Sequence, residues 1–332
     1  MASTIPAMTL VDMFDRTFSL IGKTIWRNAA IAVSFMVVPV ILFTIAANRF
    51  YSSLPALGSM GTPENMEAVK TMFTGSFFFG IASLLFALAA MVAEIAITVV
   101  VGKELNSERI SYGTAVKMAF DGRWLNGIGE GILKMLIIAG FTILAVILGG
   151  IVALIVGKGS ETTHGVLILF TVLFILVIVA AIFYTILRLY FALTAVAVED
   201  LGPVNALKKS WFLVRGHWWR TLGILILFFI LSGFAVSVIT VPVMFGTMWN
   251  HYKNLFEMLG QTGGNMDMSR LANLQRSLGH AIGISSGLSS ILSLLITPAF
   301  TVVMYFDLKA RQNDLAAPED TATTEDVPVT TV

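Results

Sequence analysis

The chain has 332 residues, of which 57% are hydrophobic and only 12% charged, with a net charge of +1 and no cysteine. Soluble domains carry roughly 25% charged residues, so this composition belongs in a membrane. It argues against a nucleic-acid partner, and the missing cysteines exclude disulfides, thiolate metal sites and thiol catalysis.

The opening stretch MASTIPAMTLVDMFDRTF lacks the basic and apolar regions of a secretory signal peptide, so the first apolar helix is expected to act as its own insertion signal. A membrane crossing needs about 20 mostly apolar residues. In chain order, six stretches meet that length: Ala29–Ala47, Phe77–Val101, Ile132–Val156, Val166–Leu187, Leu222–Trp249 and Ile282–Phe306. Long uncharged runs of this kind satisfy their own backbone hydrogen bonds as helices. The fold class is therefore all-α: a polytopic membrane protein with about six transmembrane helices, forming one integral domain over 1–311. Residues 48–73 and 250–281 are expected as two longer outer loops, with the Gly-rich GQTGGNMD as a flexible turn. The acidic, Thr- and Pro-rich residues 312–332 are expected to be disordered.

Basic residues give the direction. The segments before spans one, three and five and after span six hold 14 Lys and Arg, against 6 in the intervening loops. The positive-inside rule places the first set, and with it both ends of the chain, on the cytoplasmic side. Five of the six tryptophans fall in the same segments, where indoles favour the membrane–water boundary.

Those segments also resemble one another. TLVDMFDRTFSLIGKTIWRN, SYGTAVKMAFDGRWLNGIG and GPVNALKKSWFLVRGHWWRTLG each combine a helix-start signal, an apolar stripe, a Phe and a Trp beside a basic residue. Thr9 and Asp12 have capping-box spacing, and Pro203 suits a first helical position. Val11, Phe14, Phe18, Ile21 and Ile25 recur at helical spacing, and Val204, Leu207, Trp211 and Val214 repeat the pattern. The expectation is three interfacial amphipathic helices, each followed by a hairpin, in units near 9–101, 111–187 and 202–306. The competing explanation is that any basic amphipathic segment ahead of a span looks alike.

Ionisable groups inside spans are candidate functional residues. Glu94, Lys134 and Arg188 form a candidate intramembrane polar site, paired as Glu94–Lys134 or Glu94–Arg188. It reads either as a relay or anionic-ligand seat, or as an ion pair between helices with the longer side chains snorkelling. Pro39, Pro242 and Pro298 lie inside spans and imply kinks. Gly149-Gly150 favours close packing or a bend, and the serines of span six favour helix packing. His164, His217, His251 and His280 have no metal-ligand spacing, no nucleotide or hydrolase motif is found, and no cofactor is implied.

The segment VAVEDLGPVNALKKSWFLVRGHWWRTLGI, with DMFDRTFSL near the start and YFDLKAR near the end, resembles the membrane domain of bacterial glycerophosphoryl diester phosphodiesterases. The resemblance covers about residues 9–311 and implies a six-helix module of the bacterial inner membrane. The catalytic barrel of the fused relatives is missing, as are its His-Arg-Gly and Glu-x-Asp signatures, so phosphodiesterase activity does not carry over. Glu199, Pro203, Ala206, Ser210 and Arg220 match family positions. Glu199 and Asp200 precede a helix whose N-terminus favours negative charge. With Lys208, Lys209, Asp307 and Arg311 they form a candidate cytoplasmic clasp, Asp307 pairing with Lys208, Lys209 or Arg311. The expected function is a non-enzymatic membrane scaffold or accessory subunit that touches lipid and a protein partner. The alternative is a small permease or lipid transporter built on Glu94, Lys134 and Arg188.

Overall fold

The computed structural model describes residues 6–54, 66–156, 161–260 and 268–316. Every regular element among them is a helix: α1 (Leu10–Ser53), α2 (Met66–Leu105), α3 (Tyr112–Met118), α4 (Trp124–Val156), α5 (Glu161–Arg188), α6 (Ala192–Glu199), α7 (Pro203–Leu213), α8 (Trp218–Gly260) and α9 (Met268–Ala316). Six of these are long and apolar enough to cross a membrane.

The spans run further than hydropathy indicates. Residues 48–53 continue α1, residues 250–260 continue α8, and residues 268–281 belong to α9. Much of the expected outer loops is therefore helix. The stopping points have local causes: α1 ends just before Pro55, and α8 ends at Gly260, where the GQTGGN run begins. The turn at 261–267 and residues 317–332 of the expected tail lie outside the described residues, and residues 312–316 extend α9. Pro39, Pro242 and Pro298 each sit inside a helix that continues through them.

The three amphipathic segments fold differently. In the second and third, a glycine two residues before tryptophan takes a left-handed backbone: Gly122 and Gly216 both have φ of 85°. There the chain breaks, separating α3 from α4 through a π-turn at 119–123, and α7 from α8. The first segment has no Gly-x-Trp. It is the opening of the unbroken 44-residue α1, started by the Thr9–Asp12 capping box, and so is not a separate interfacial helix. Its stripe residues Val11 and Phe18 face outward, while the adjoining Met13, Thr17, Leu20, Thr24 and Asn28 are buried. The short, largely buried α6 lies between the second and third of the expected units.

The core lies between α1, α2 and α9, with α8 packed on α9. Phe300 of α9 stacks on Phe228 of α8 at 3.7 Å between ring centroids, and Phe14 of α1 lies 6.1 Å away. The tightest seam is α1 on α9. A Cβ built on Gly283 would lie 2.6 Å from the Thr44 Cα, and one on Gly279 would lie 2.6 Å from the Asn48 Cα. Gly287 takes the branched side chain of Val40, so glycine at every fourth position opens the seam, with backbone against backbone at Gly279 and Gly283.

The α4–α5 hairpin is different. Half of the most apolar stretch of α2, and half of that of α9, is buried inside the protein, but none of the corresponding stretch of α4 is. The hairpin is held at its foot, where Gly127 takes Ile95 and Met91 of α2 against its backbone and Gly129 takes Pro203 of α7.

Candidate functional site

Charged side chains concentrate at the end of the bundle where residue 8 meets residues 307–311. The Asp307 side chain is fully buried near the end of α9. It accepts hydrogen bonds from the Met8 backbone N–H at 2.7 Å, an Arg220 terminal nitrogen at 2.5 Å and the Arg311 Nε at 3.1 Å. Both arginines also donate to the Met8 carbonyl, at 3.1 Å and 2.7 Å. A buried carboxylate is tolerable only with such a set of donors. Removing one partner from a buried pair of this kind costs about 3–5 kcal/mol.

The other clasp residues are placed as follows. Asp307 pairs with Arg311 as expected, but its second partner is Arg220 of α8, not Lys208 or Lys209. Those lysines lie on α7, whereas the start of α8 runs alongside the end of α9 and brings Arg220 to Asp307. Glu199 pairs with Lys309 at 2.6 Å. Asp200 lies 3.4 Å from Arg123 at the α3–α4 break. Ser210 Oγ donates to the Arg188 carbonyl and accepts from the Phe191 N–H, tying α7 to the α5–α6 turn. Arg27, which the sequence did not single out, pairs with Glu104 at 2.5 Å and donates to the Ile110 carbonyl, holding α1 to the end of α2.

His217 sits in the turn before α8. Burial pushes its pKa below the ordinary imidazole value; the nearby Arg311 and Arg220 lower it further, and Asp307 opposes them.

Deeper in the spans, the three candidate residues are only partly brought together. Lys134 pairs with Glu130, four residues earlier on α4. Glu130 is 3% exposed and was missed from the sequence, although Glu followed by Lys at this spacing is a recognisable helix-surface pair. Glu94, partly buried on α2, lies within electrostatic reach of Lys134, Glu130 and Tyr190 but forms no hydrogen bond or ion pair. Arg188 is not in this group. Its guanidinium lies over the rings of Tyr184 at 4.8 Å and Trp211 at 4.6 Å, anchoring the end of α5 to α7 by cation–π contact. The Glu94–Arg188 pairing therefore does not form. Among the described residues no three His, Asp or Glu side chains gather where they could hold a metal ion.

Ser285 turns its hydroxyl to the Ala281 carbonyl of its own helix. Gly149 and Gly150 have open space where a Cβ would go, so they serve no close packing.

No curated protein and no solved structure matches the chain. A family described as a domain of unknown function (DUF7847) matches residues 21–308. That span covers most of the 332 residues, and the chain belongs to this family.

Proposed function

We propose that this integral membrane protein is a non-enzymatic scaffold or accessory subunit of the bacterial inner membrane, in contact with lipid and with a protein partner in the membrane. The observation that carries the reading is the α4–α5 hairpin. It is fixed at its foot, and the most apolar stretch of α4 has no burial inside the chain. An apolar helix with so little internal packing presents a surface to something outside the protein. The ionic groups at the clasp end meanwhile tie the fold together and supply no nucleophile–base pair. Charge asymmetry supports both chain ends on the cytoplasmic side, and the meeting of Met8 with Arg311 fits a shared side. The resemblance to the phosphodiesterase membrane domain belongs to the same proposal, through the Glu199, Ser210 and Arg220 positions.

Photo-crosslinking residues at Leu144 and Val146, both exposed on α4, test the reading in native membranes. A single stoichiometric protein adduct is expected from these positions and none from buried Val100. Adducts with lipid alone would remove the partner from the proposal.

A second reading is a small permease or lipid transporter. Glu94 carries it, because a carboxyl without a hydrogen bond or ion pair, set inside a span beside the Glu130–Lys134 pair, is the kind of group that relays a proton or seats a solute. Fluorescent-lipid scrambling in proteoliposomes, compared between the wild type and Glu94→Gln, tests it. A wild-type rate equal to that of empty liposomes would rule out lipid transport.

A further inference from the structure

A small cavity of about 160 Å³ opens where the end of α2, the α3–α4 break and the end of α6 converge. Its polar lining is Lys103, Asn106 and Arg123; Val99, Met118 and Val198 contribute apolar wall. None of its lining residues is acidic. The larger cavity between α1 and α2 differs, since Asp12, Asp15 and Glu104 line it and outnumber its cations Arg16 and Lys23.

Arg123 is the unusual member. It is 9% exposed, its Nε has no hydrogen-bond partner, and one terminal nitrogen is held by the Met118 carbonyl at 2.9 Å. Its nearest carboxylate, Asp200, is 3.4 Å away and half exposed. Lys103 pairs with Glu108 at 2.7 Å, but both side chains face water. Solvent-facing pairs of this kind contribute only about 0–1 kcal/mol. Each cation's carboxylate partner thus lies outside the cavity lining and is at least half exposed. Asn106 uses one amide hydrogen on the Gly102 carbonyl and keeps another. The two non-glycine left-handed residues among those described, Ser107 and Asp200, lie beside Asn106 and Arg123, and left-handed Gly122 precedes Arg123.

We propose that this cavity binds a phosphate group, with Arg123 and Lys103 as its cationic contacts and the Asn106 amide as a third donor. A planar guanidinium and a neighbouring ammonium match the oxygens of a phosphate. At about 30 Å³ for a water's share of liquid volume, the space is roughly five waters' worth and is large enough to take a phosphate group. The cavity lies at the ends of spans α2 and α4, the level of lipid headgroups. The phosphate therefore comes either from a lipid headgroup or from a soluble ion or monoester. The site does not depend on whether the hairpin meets lipid or protein.

The test uses the full chain in nanodiscs. Calorimetric titration with inorganic phosphate is run in phosphatidylcholine discs, and native mass spectrometry counts retained lipid from discs containing phosphatidylglycerol. Saturable heat in the first arm identifies a soluble phosphate; retained phosphatidylglycerol without such heat identifies a headgroup. In whichever arm shows binding, Lys103→Gln is expected to weaken it roughly tenfold, the size of one lost charge-assisted hydrogen bond. Glu108→Gln, which frees Lys103, is expected to strengthen it. Both positions face solvent, so both variants keep the fold. No binding in either arm, or binding that Lys103→Gln leaves unchanged, overturns the proposal.

Discussion

Helices α9 and α4 are both glycine-bearing apolar spans, yet they use glycine in opposite ways. On α9, Gly279, Gly283 and Gly287 sit against α1 so closely that a methyl group would collide with backbone or a branched side chain. On α4, Gly140, Gly149 and Gly150 face open space. One helix is locked into a bundle whose seam is built by the absence of side chains. The other stands beside that bundle, tied only at its foot. In lipid, where apolar contact alone gives little preference between a helix and an acyl chain, close backbone approach and polar ties decide which helices assemble. This protein places both devices in the α1–α2–α9–α8 half, and on α4 it keeps close approach to the foot, at Gly127 and Gly129.

That contrast is breakable. The largest expected loss comes from Asp307→Ala, which strands Arg220 and Arg311 in partly buried positions and releases the Met8 backbone. Thermal unfolding in mild detergent is expected to report about 3–5 kcal/mol of destabilisation. A loss under 1 kcal/mol would mean that the clasp is not holding the bundle. Gly283→Ala comes next: the added methyl meets Thr44, and overpacking of this kind costs about 1–3 kcal/mol.

A smaller effect is expected from pH. The pKa of His217 is lowered in the folded protein, so the unfolded chain takes up its proton first as pH falls. Its contribution to stability is complete above the ordinary histidine value of about 6.5 and is lost as pH drops through that value toward the folded one. Unfolding scans between pH 8 and about 5 should show that slope, and His217→Gln should flatten it. The smallest change is Gly150→Ala on α4. With nothing nearby to hit, it should be neutral or gain up to about 1 kcal/mol from helix propensity. A loss as large as that of Gly283→Ala would show that α4 packs closely against another helix of this chain.

The six spans were legible because a membrane crossing requires a long apolar run, and that requirement leaves a plain trace in composition. The capping box at Thr9 and Pro203 at the first position of α7 were legible for a similar reason: each satisfies a local need of its own helix. The misses are of another kind. The far ends of α1, α8 and α9 continue as helix through polar residues, because no proline or glycine stops them until Pro55 on α1 and Gly260 on α8. Gly-x-Trp at 122–124 and 216–218 marks the breaks that the first segment lacks, a difference hidden by the overall similarity of the three. Glu130 and the four-residue glycine spacing on α9 were visible but carried no apolar or charge-count signal. The choice of Arg220 over Lys208 or Lys209 as the partner of Asp307 was not visible at all. It depends on which of two neighbouring helices runs beside α9, a tertiary fact.

The contacts of Met8 have a consequence for biosynthesis. Its N–H and carbonyl are paired with residues 220, 307 and 311. Those partners emerge from the ribosome long after α1 has entered the membrane. Until the last span is inserted, Arg220 of α8 is the one of these partners present for the start of α1, and the α1 face that receives Gly279, Gly283 and Gly287 is still without them. Insertion of α9 against α1 then closes the glycine seam and the carboxylate clasp together. The earliest and latest parts of the chain are joined in one late step, so a nascent chain truncated before residue 279 lacks both of the fastenings that define the finished bundle, and one truncated between 287 and 307 lacks the clasp alone.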